Sequence, residues 1–110
     1  VVIELLKFAV EVEKQADFIQ KDHEIWTKAL SEYPWFIHKE VWINPEKPQE
    51  IVIVIWMRSR QEWKSIPQEK VEEIQKQFDE AIGPNYRLIE GSDYDQQDIS
   101  TLNNDLISSP

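Results

Sequence analysis

The stretch WFIHKEVWINPEKPQEIVIVIWMR, residues 35 to 58, decides the fold. Two apolar runs flank Asn44-Pro45-Glu46-Lys47-Pro48, a polar, proline-marked loop, so the stretch reads as strands over 35–44 and 50–58 joined as a hairpin. Side chains alternate along a strand, which sends Ile51, Ile53, Ile55 and Met57 to one face and Val52, Val54 and Trp56 to the other. A hairpin in a small domain in water normally needs one apolar face only. Two apolar faces need a cover on each side. The helices of a chain this short suffice for one side, and a second copy of the chain is the simplest cover for the other.

Working outward, VVIELLKF (1–8) reads as another strand, apolar on both faces apart from Glu4 and Lys7. A long amphipathic helix is expected from about Glu13 to Tyr33, with Phe18, Ile19, Ile25, Trp26, Ala29, Leu30 and Tyr33 on one stripe, and Pro34 stops it. After the hairpin, Ser59-Arg60-Gln61-Glu62 has the capping-box pattern and opens a short helix carrying Trp63. Ser65-Ile66-Pro67-Gln68 restarts the helix, since proline is tolerated in a first turn. Val71, Ile74, Phe78, Ala81 and Ile82 then keep helical spacing up to Gly83-Pro84. Tyr86 to Glu90 reads as a last strand.

The order is βαββαβ, an α+β chain. Its expected fold is the ferredoxin-like plan, an antiparallel sheet with the helices on one face. The folded domain is expected over 1–90. Residues 91–110 read as an acidic, polar tail or an arm lying on a neighbour.

Composition narrows the partners. The chain has 110 residues, enough for one domain, and its 12 basic against 21 acidic residues give a net charge of −9. Binding to nucleic acid or to an anionic membrane surface relies on clustered Lys and Arg, so both partners are excluded as expectations. No apolar run approaches the length of a membrane span, and no secretory leader is read ahead of Val1. With no cysteine there is no disulfide framework and no thiolate metal site, and a cytoplasmic location is expected. Two glycines in the whole chain leave no phosphate-cradling loop.

Several side chains stand out against this background. Asp22 falls near the centre of the apolar stripe, one turn from Phe18, Ile19, Ile25 and Trp26. A carboxylate there must find donors or hold its proton. It is a structural acceptor, from an indole, a backbone N–H or Arg58, or a catalytic acid or base, or, if the helix is rotated, a solvated carboxylate. His38 shares a strand pattern with Phe36, Glu40 and Trp42, and a neighbouring strand could bring Glu4 beside it as a proton-transfer pair; otherwise it is a solvated or interface histidine. His23 sits at the edge of the stripe. The two histidines have no metal-ligand spacing, so no metal and no other cofactor is expected. Trp26, Trp42, Trp56 and Trp63 either line a pocket for a flat ligand or fill core and seam. Trp63 is the best placed for a ligand, and Trp35 is expected near the surface or a partner. Arg58 could hold a ligand acid or pair with Glu62.

With Pro34, Phe36 and Trp42 as one motif and Trp56, Ser59 and Trp63 as another, the chain over roughly 1–90 resembles the antibiotic-biosynthesis-monooxygenase-like group of dimeric α/β barrels. Asp22, Trp26 and Thr27, the run Lys39 to Trp42, and the run Trp63 to Pro67 place the likeness nearer to a small uncharacterised bacterial branch. The resemblance implies a homodimer with two sheets packed face to face and a pocket between each sheet and its helices. The wider group includes cofactor-independent monooxygenases of polycyclic aromatic compounds and haem-degrading enzymes. Of the Asn, Trp and His that serve haem degradation, only the Trp has a counterpart, at Trp63. The Asn position falls near Leu6, and 68–82 contains no histidine.

Two functions follow as expectations. In the first the chain binds a small hydrophobic or aromatic molecule between sheet and helices, as a cofactor-independent monooxygenase-like enzyme would. Asp22 or His38 would then move protons, and Trp26, Trp42, Trp63 and Arg58 would contact the ligand. In the alternative it is a non-catalytic homodimeric module that binds a protein partner.

Overall fold

The most apolar strands take the middle of the sheet, where both faces can be covered. In the computed structural model, which describes residues 1–100, strands β1 (Val2–Val10), β2 (Phe36–Ile43), β3 (Glu50–Met57) and β4 (Tyr86–Asp95) form one antiparallel sheet ordered β2-β3-β1-β4. β3 and β1 are central, and the more polar β2 and β4 are the edges. The helices lie on one face, giving the expected α+β, ferredoxin-like architecture.

On the helix side β1 presents Val2, Glu4, Leu6, Phe8 and Val10, and β3 presents Ile51, Ile53, Ile55 and Met57, with Val2 opposite Met57 and Phe8 opposite Ile51. Val2, Val10 and these four β3 residues form one buried cluster with Phe18 and Leu30 from the first helical segment and Phe78 and Ile82 from the last. Phe8, Phe18, Phe78 and Tyr86 meet in tilted and edge-on pairs with centroids 5.3–5.7 Å apart. Such pairs add to the stabilisation from area burial alone.

The first helical segment is not the uniform helix expected. A 3-10 turn (Val12–Lys14) leads into α1 (Gln15–Asp22), a π turn spans His23–Thr27, and α2 (Lys28–Ser31) completes the run. A π turn accommodates one more residue than an α turn, so the side chains beyond it are rotated relative to those before it. The segment ends with Tyr33 N–H donating to the Leu30 carbonyl, just before Pro34.

Three further differences follow from strand pairing and packing. β2 carries a bulge between Phe36 and His38: Phe36 pairs with Met57 while His38 pairs with Trp56, so Ile37 is the extra residue. Phe36 therefore packs on the core and His38 faces the other way. Trp35, expected near the surface, is 4% exposed and stacks on Tyr33 at 5.0 Å; its carbonyl accepts from Arg58 N–H at 2.8 Å. β4 runs to Asp95, five residues beyond its expected end, because Leu6, Leu5, Glu4, Ile3 and Val2 pair in turn with Gly91 to Asp95. The expected tail thus begins inside the sheet, and its last part, 101–110, lies outside the described residues.

The later helices follow the capping signals. Ser59 caps α3 (Arg60–Lys64), its hydroxyl accepting from Glu62 N–H at 3.2 Å. Glu62 does not reach back to the backbone as in a capping box; it accepts from the Ser59 hydroxyl and the Arg58 guanidinium. α4 (Gln68–Ile82) ends at Gly83, whose φ of 73° suits glycine and whose N–H donates to the Asp79 carbonyl.

The opposite face of the sheet carries Ile3, Leu5, Val52, Val54 and Trp56, with Trp42 and Tyr94 towards its edges. Trp42 is 46% and Tyr94 53% exposed. No helix of the described residues packs on this face. None of those helices is long and apolar enough to cross a membrane.

Candidate functional site

Between the sheet and the helices lies a cavity of about 370 Å³. Its floor is Leu6 and Phe8 of β1 with Ile53 and Ile55 of β3, and its walls are Phe18, Trp26 and Leu30 on one side and Trp63, Ile66, Val71 and Phe78 on the other. Gln68, Gln75 and Tyr86 add polar atoms, Gln75 donating to the Tyr86 hydroxyl at 2.7 Å. An apolar chamber with a few convergent polar groups, at the low end of the roughly 300–1,000 Å³ common for ligand pockets, is the usual form of a small-molecule site.

Four charged side chains enter this apolar space: Glu4, Asp22, Lys39 and, from α3, Lys64. Asp22, the last residue of α1, is 5% exposed. Its partner is none of the donors expected for it. Lys39 of β2 reaches across from the sheet, its Nζ 2.5 Å from Asp22 Oδ2, with both side chains more than nine-tenths buried. Burial pushes the Asp22 carboxyl up and the Lys39 ammonium down, and their mutual attraction opposes both shifts. Lys39 Nζ is sealed from solvent, and among the described residues no acceptor other than Asp22 reaches its three donors. The pair is close, and the ammonium's remaining donors have no further acceptor among the described residues.

Glu4 lies two strands from Lys39 in the same row, since Ile55 pairs with both Glu4 and Lys39. Strand spacing sets their backbones about 10 Å apart on the helix face. Burial pushes the Glu4 carboxyl up to about 7; Lys64 and Lys39 pull it down, and Asp93 pushes it up. A carboxyl poised there can hold or release a proton near neutral pH.

The structure therefore gathers Asp22, Trp26 and Trp63 on one cavity and leaves the other sequence-derived residues outside it. His38 is not beside Glu4: the bulge in β2 turns it to the opposite face, where its Nε2 lies 2.8 Å from Glu40 Oε2 and its ring 5.2 Å from Trp56. Trp42 is on that face too, its indole N–H donating to Glu40 at 2.8 Å. Arg58 is exposed and forms a forked ion pair with Glu62, which holds the Glu62 carboxyl down at about 2. Arg58 and Glu62 are thus committed to each other at the surface.

Glu4 and Lys39 were missed as cavity residues, although the signal was present. On the even-numbered face of β1, Glu4 is the single charge among Val2, Leu6, Phe8 and Val10, and Lys39 shares one face of β2 with Val41 and Ile43. Among the described residues, no group of three His, Cys, Asp or Glu side chains is placed to hold a metal ion.

No protein-family model and no curated protein matches the chain. Solved structures do match. A monooxygenase from Streptomyces coelicolor, the product of ActVA-Orf6, solved in complex with the ligand nanaomycin D, superposes with a TM-score of 0.68 at 10% identity, covering 88% of each chain. SnoaB, a cofactor-independent oxygenase from Streptomyces nogalater, gives 0.66 at 12% identity, covering 88% of this chain and 93% of its own. A protein of Bordetella bronchiseptica described provisionally as an antibiotic biosynthesis monooxygenase gives 0.68 at 10% identity, covering 87% of this chain and 96% of its own. By structure, the chain has the ferredoxin-like fold of antibiotic-biosynthesis-monooxygenase-like proteins.

Proposed function

We propose that this protein binds a small aromatic or otherwise hydrophobic molecule in the cavity between sheet and helices and carries out proton transfer on it, as a homodimer joined through the open face of the sheet. The observation that carries the reading is a largely apolar chamber of about 370 Å³ into which Glu4, Asp22 and Lys39 project. Burying charge without a use is costly, and an active site is one place where the cost is met. Trp26 and Trp63 offer ring faces to a flat ligand, Glu4 gives or takes the proton, and Asp22 sets the position and charge of Lys39. The fold likeness to a cofactor-independent oxygenase favours a reaction without a bound cofactor. The apolar open face with its exposed Trp42 and Tyr94 supports the homodimer.

Titration with polycyclic aromatic compounds tests the binding reading. Ligand entry should change the intrinsic Trp fluorescence, and Trp63→Ala should weaken that response about tenfold or more, the scale of one lost aromatic contact. If no aromatic compound up to millimolar concentration perturbs the fluorescence, the reading fails.

A further inference from the structure

We infer that the cavity is selective for an apolar monocarboxylate, whose anionic oxygens take the unsatisfied donors of Lys39 and are met by Glu4 as a carboxylic acid. The inference rests on the small-molecule reading above and names the chemical class of the ligand.

The geometry begins with Lys39. Its ammonium has at most three hydrogens to give, is enclosed in the protein, and meets no acceptor other than Asp22 among the described residues. Asp22 lies at 2.5 Å and compensates the charge, and no second acceptor among the described residues takes the remaining donors. A buried, under-satisfied cation at the wall of a cavity is a place for an anionic oxygen. Opposite it on the sheet, in the row through Ile55, stands Glu4.

The charges facing Glu4 decide its state when an anion enters. From β2 comes Lys39, with Asp22 of α1 behind it; from α3 comes Lys64; from β4 comes Asp93, which pairs with Glu4 in the strand register and is itself held by Arg60 at 2.6 Å. Asp22 offsets Lys39, and Arg60 is shared between Asp93 and Asp95. Lys64 is exposed at the cavity mouth, its Nζ 4.0 Å over the Trp63 ring, so, Glu4 aside, Lys39 and Lys64 face Asp22 alone within the cavity wall. With Glu4 protonated, this end of the cavity suits one negative charge. With Glu4 ionised, it does not. Because burial already raises the Glu4 carboxyl to about 7, a second carboxylate beside it drives it further towards the acid form, which donates a hydrogen bond to the newcomer. Binding is therefore coupled to uptake of a proton from solvent. The carboxylate ligand keeps its charge, the proton forms the O–H bond of Glu4, and no other bond changes.

The cavity walls supply the rest of the selectivity. Trp26, Trp63, Phe18 and Phe78 favour a flat hydrocarbon body over a sugar or peptide.

The test compares 1-naphthoate with its neutral analogue 1-naphthamide by Trp fluorescence and calorimetry from pH 6 to 8.5. For the intact chain, the carboxylate should bind about tenfold or more tighter than the amide at pH 6, and its affinity should fall by about tenfold across the range as Glu4 ionises. Its binding enthalpy should change between phosphate and Tris buffers, reporting the proton. In Glu4→Gln the pH dependence and the buffer dependence should disappear while the carboxylate still binds. In the paired replacement Asp22→Leu with Lys39→Met, which leaves no lone buried charge, the preference for carboxylate over amide should be lost. Equal binding of the two ligands, or a preference that survives the paired replacement, overturns the carboxylate assignment and leaves the small-molecule reading standing. Failure of both ligands to bind overturns both.

Discussion

At the scale of single residues, the two buried acids of the cavity differ in what compensates them. Glu4 has no direct cation, so its cost appears in the pH dependence of stability. Its carboxyl titrates at about 7 in the folded chain against 4.5 when unperturbed, so the folded state holds a proton that the unfolded chain has released. The stability this proton contributes is complete below pH 4.5 and is lost as pH rises through about 7. The shift sets a ceiling of about 3 kcal/mol, and partial access of solvent brings the expected loss to about 1–3 kcal/mol. Glu4→Gln should flatten the profile of unfolding free energy between pH 5 and 8 and exceed the parent at pH 8, as read by urea denaturation. A parallel loss of stability in both proteins would show that Glu4 is not the group responsible. Asp22 and Lys39 behave differently because they compensate each other. Lys39→Met alone strands a buried carboxylate and should cost about 3–5 kcal/mol, whereas adding Asp22→Leu should recover most of it, since a buried ion pair gains little over well-packed apolar side chains. A double replacement as unstable as the single one would contradict that account.

At the scale of elements, what could be read from the sequence depended on whether a feature is set locally. The hairpin at 35–58, the start of α3 at Ser59 and the end of α4 at Gly83 rest on neighbouring residues, and each is found as read. The bulge at Ile37 depends on how β2 pairs with β3, and it inverts the reading of every residue whose face was counted from Phe36: His38 and Trp42 belong to the open face and not to a site with Glu4. The π turn at 23–27 and the burial of Trp35 against Tyr33 likewise follow from tertiary packing and leave no local signature. Asp22 was legible as an anomaly, but its partner was not, because Lys39 is far along the chain and the pairing needs the sheet. The cap of α3 gives a direct element-scale prediction. The Ser59 hydroxyl both accepts from Glu62 N–H and donates to Glu62 Oε1, so Ser59→Ala should destabilise the protein by about 1 kcal/mol, while Ser59→Thr retains both roles and should cost less. Since α3 carries Trp63 into the cavity wall, Ser59→Ala should also weaken aromatic ligands measurably in a fluorescence titration. Unchanged thermal midpoint and unchanged affinity together would show that the cap does not position Trp63.

At the scale of the whole molecule, the two faces of the hairpin have separate destinations. Ile51, Ile53, Ile55 and Met57 are sealed beneath the helices, while Val52, Val54 and Trp56 lie on the other face, on which no described helix packs and where Val54 is 2% and Trp42, at the edge, 46% exposed. That face is apolar along its centre, through Leu5 and Val54, and more polar near its margins, where Lys7 meets Glu50 at 3.8 Å and His38 meets Glu40. An apolar middle with a polar rim is the pattern of an interface, and a two-fold pairing of identical faces is the simplest closed one. Light scattering at micromolar concentration should therefore return twice the mass of the 13.1 kDa chain. A replacement at Trp42 tests the proposed seam apart from the cavity. Trp42 is 46% exposed, so replacing it removes little from the fold, yet Trp42→Glu would set a carboxylate beside Glu40 on the proposed seam. The variant should sediment as a monomer of unchanged helix and strand content. Because Trp42 does not border the cavity, the protomer should keep its response to aromatic ligands, with any loss confined to what the partner copy lends in rigidity. A variant that remains dimeric would move the seam elsewhere, and one that stays folded but loses ligand binding outright would return Trp42 to the ligand site from which the bulge in β2 removes it.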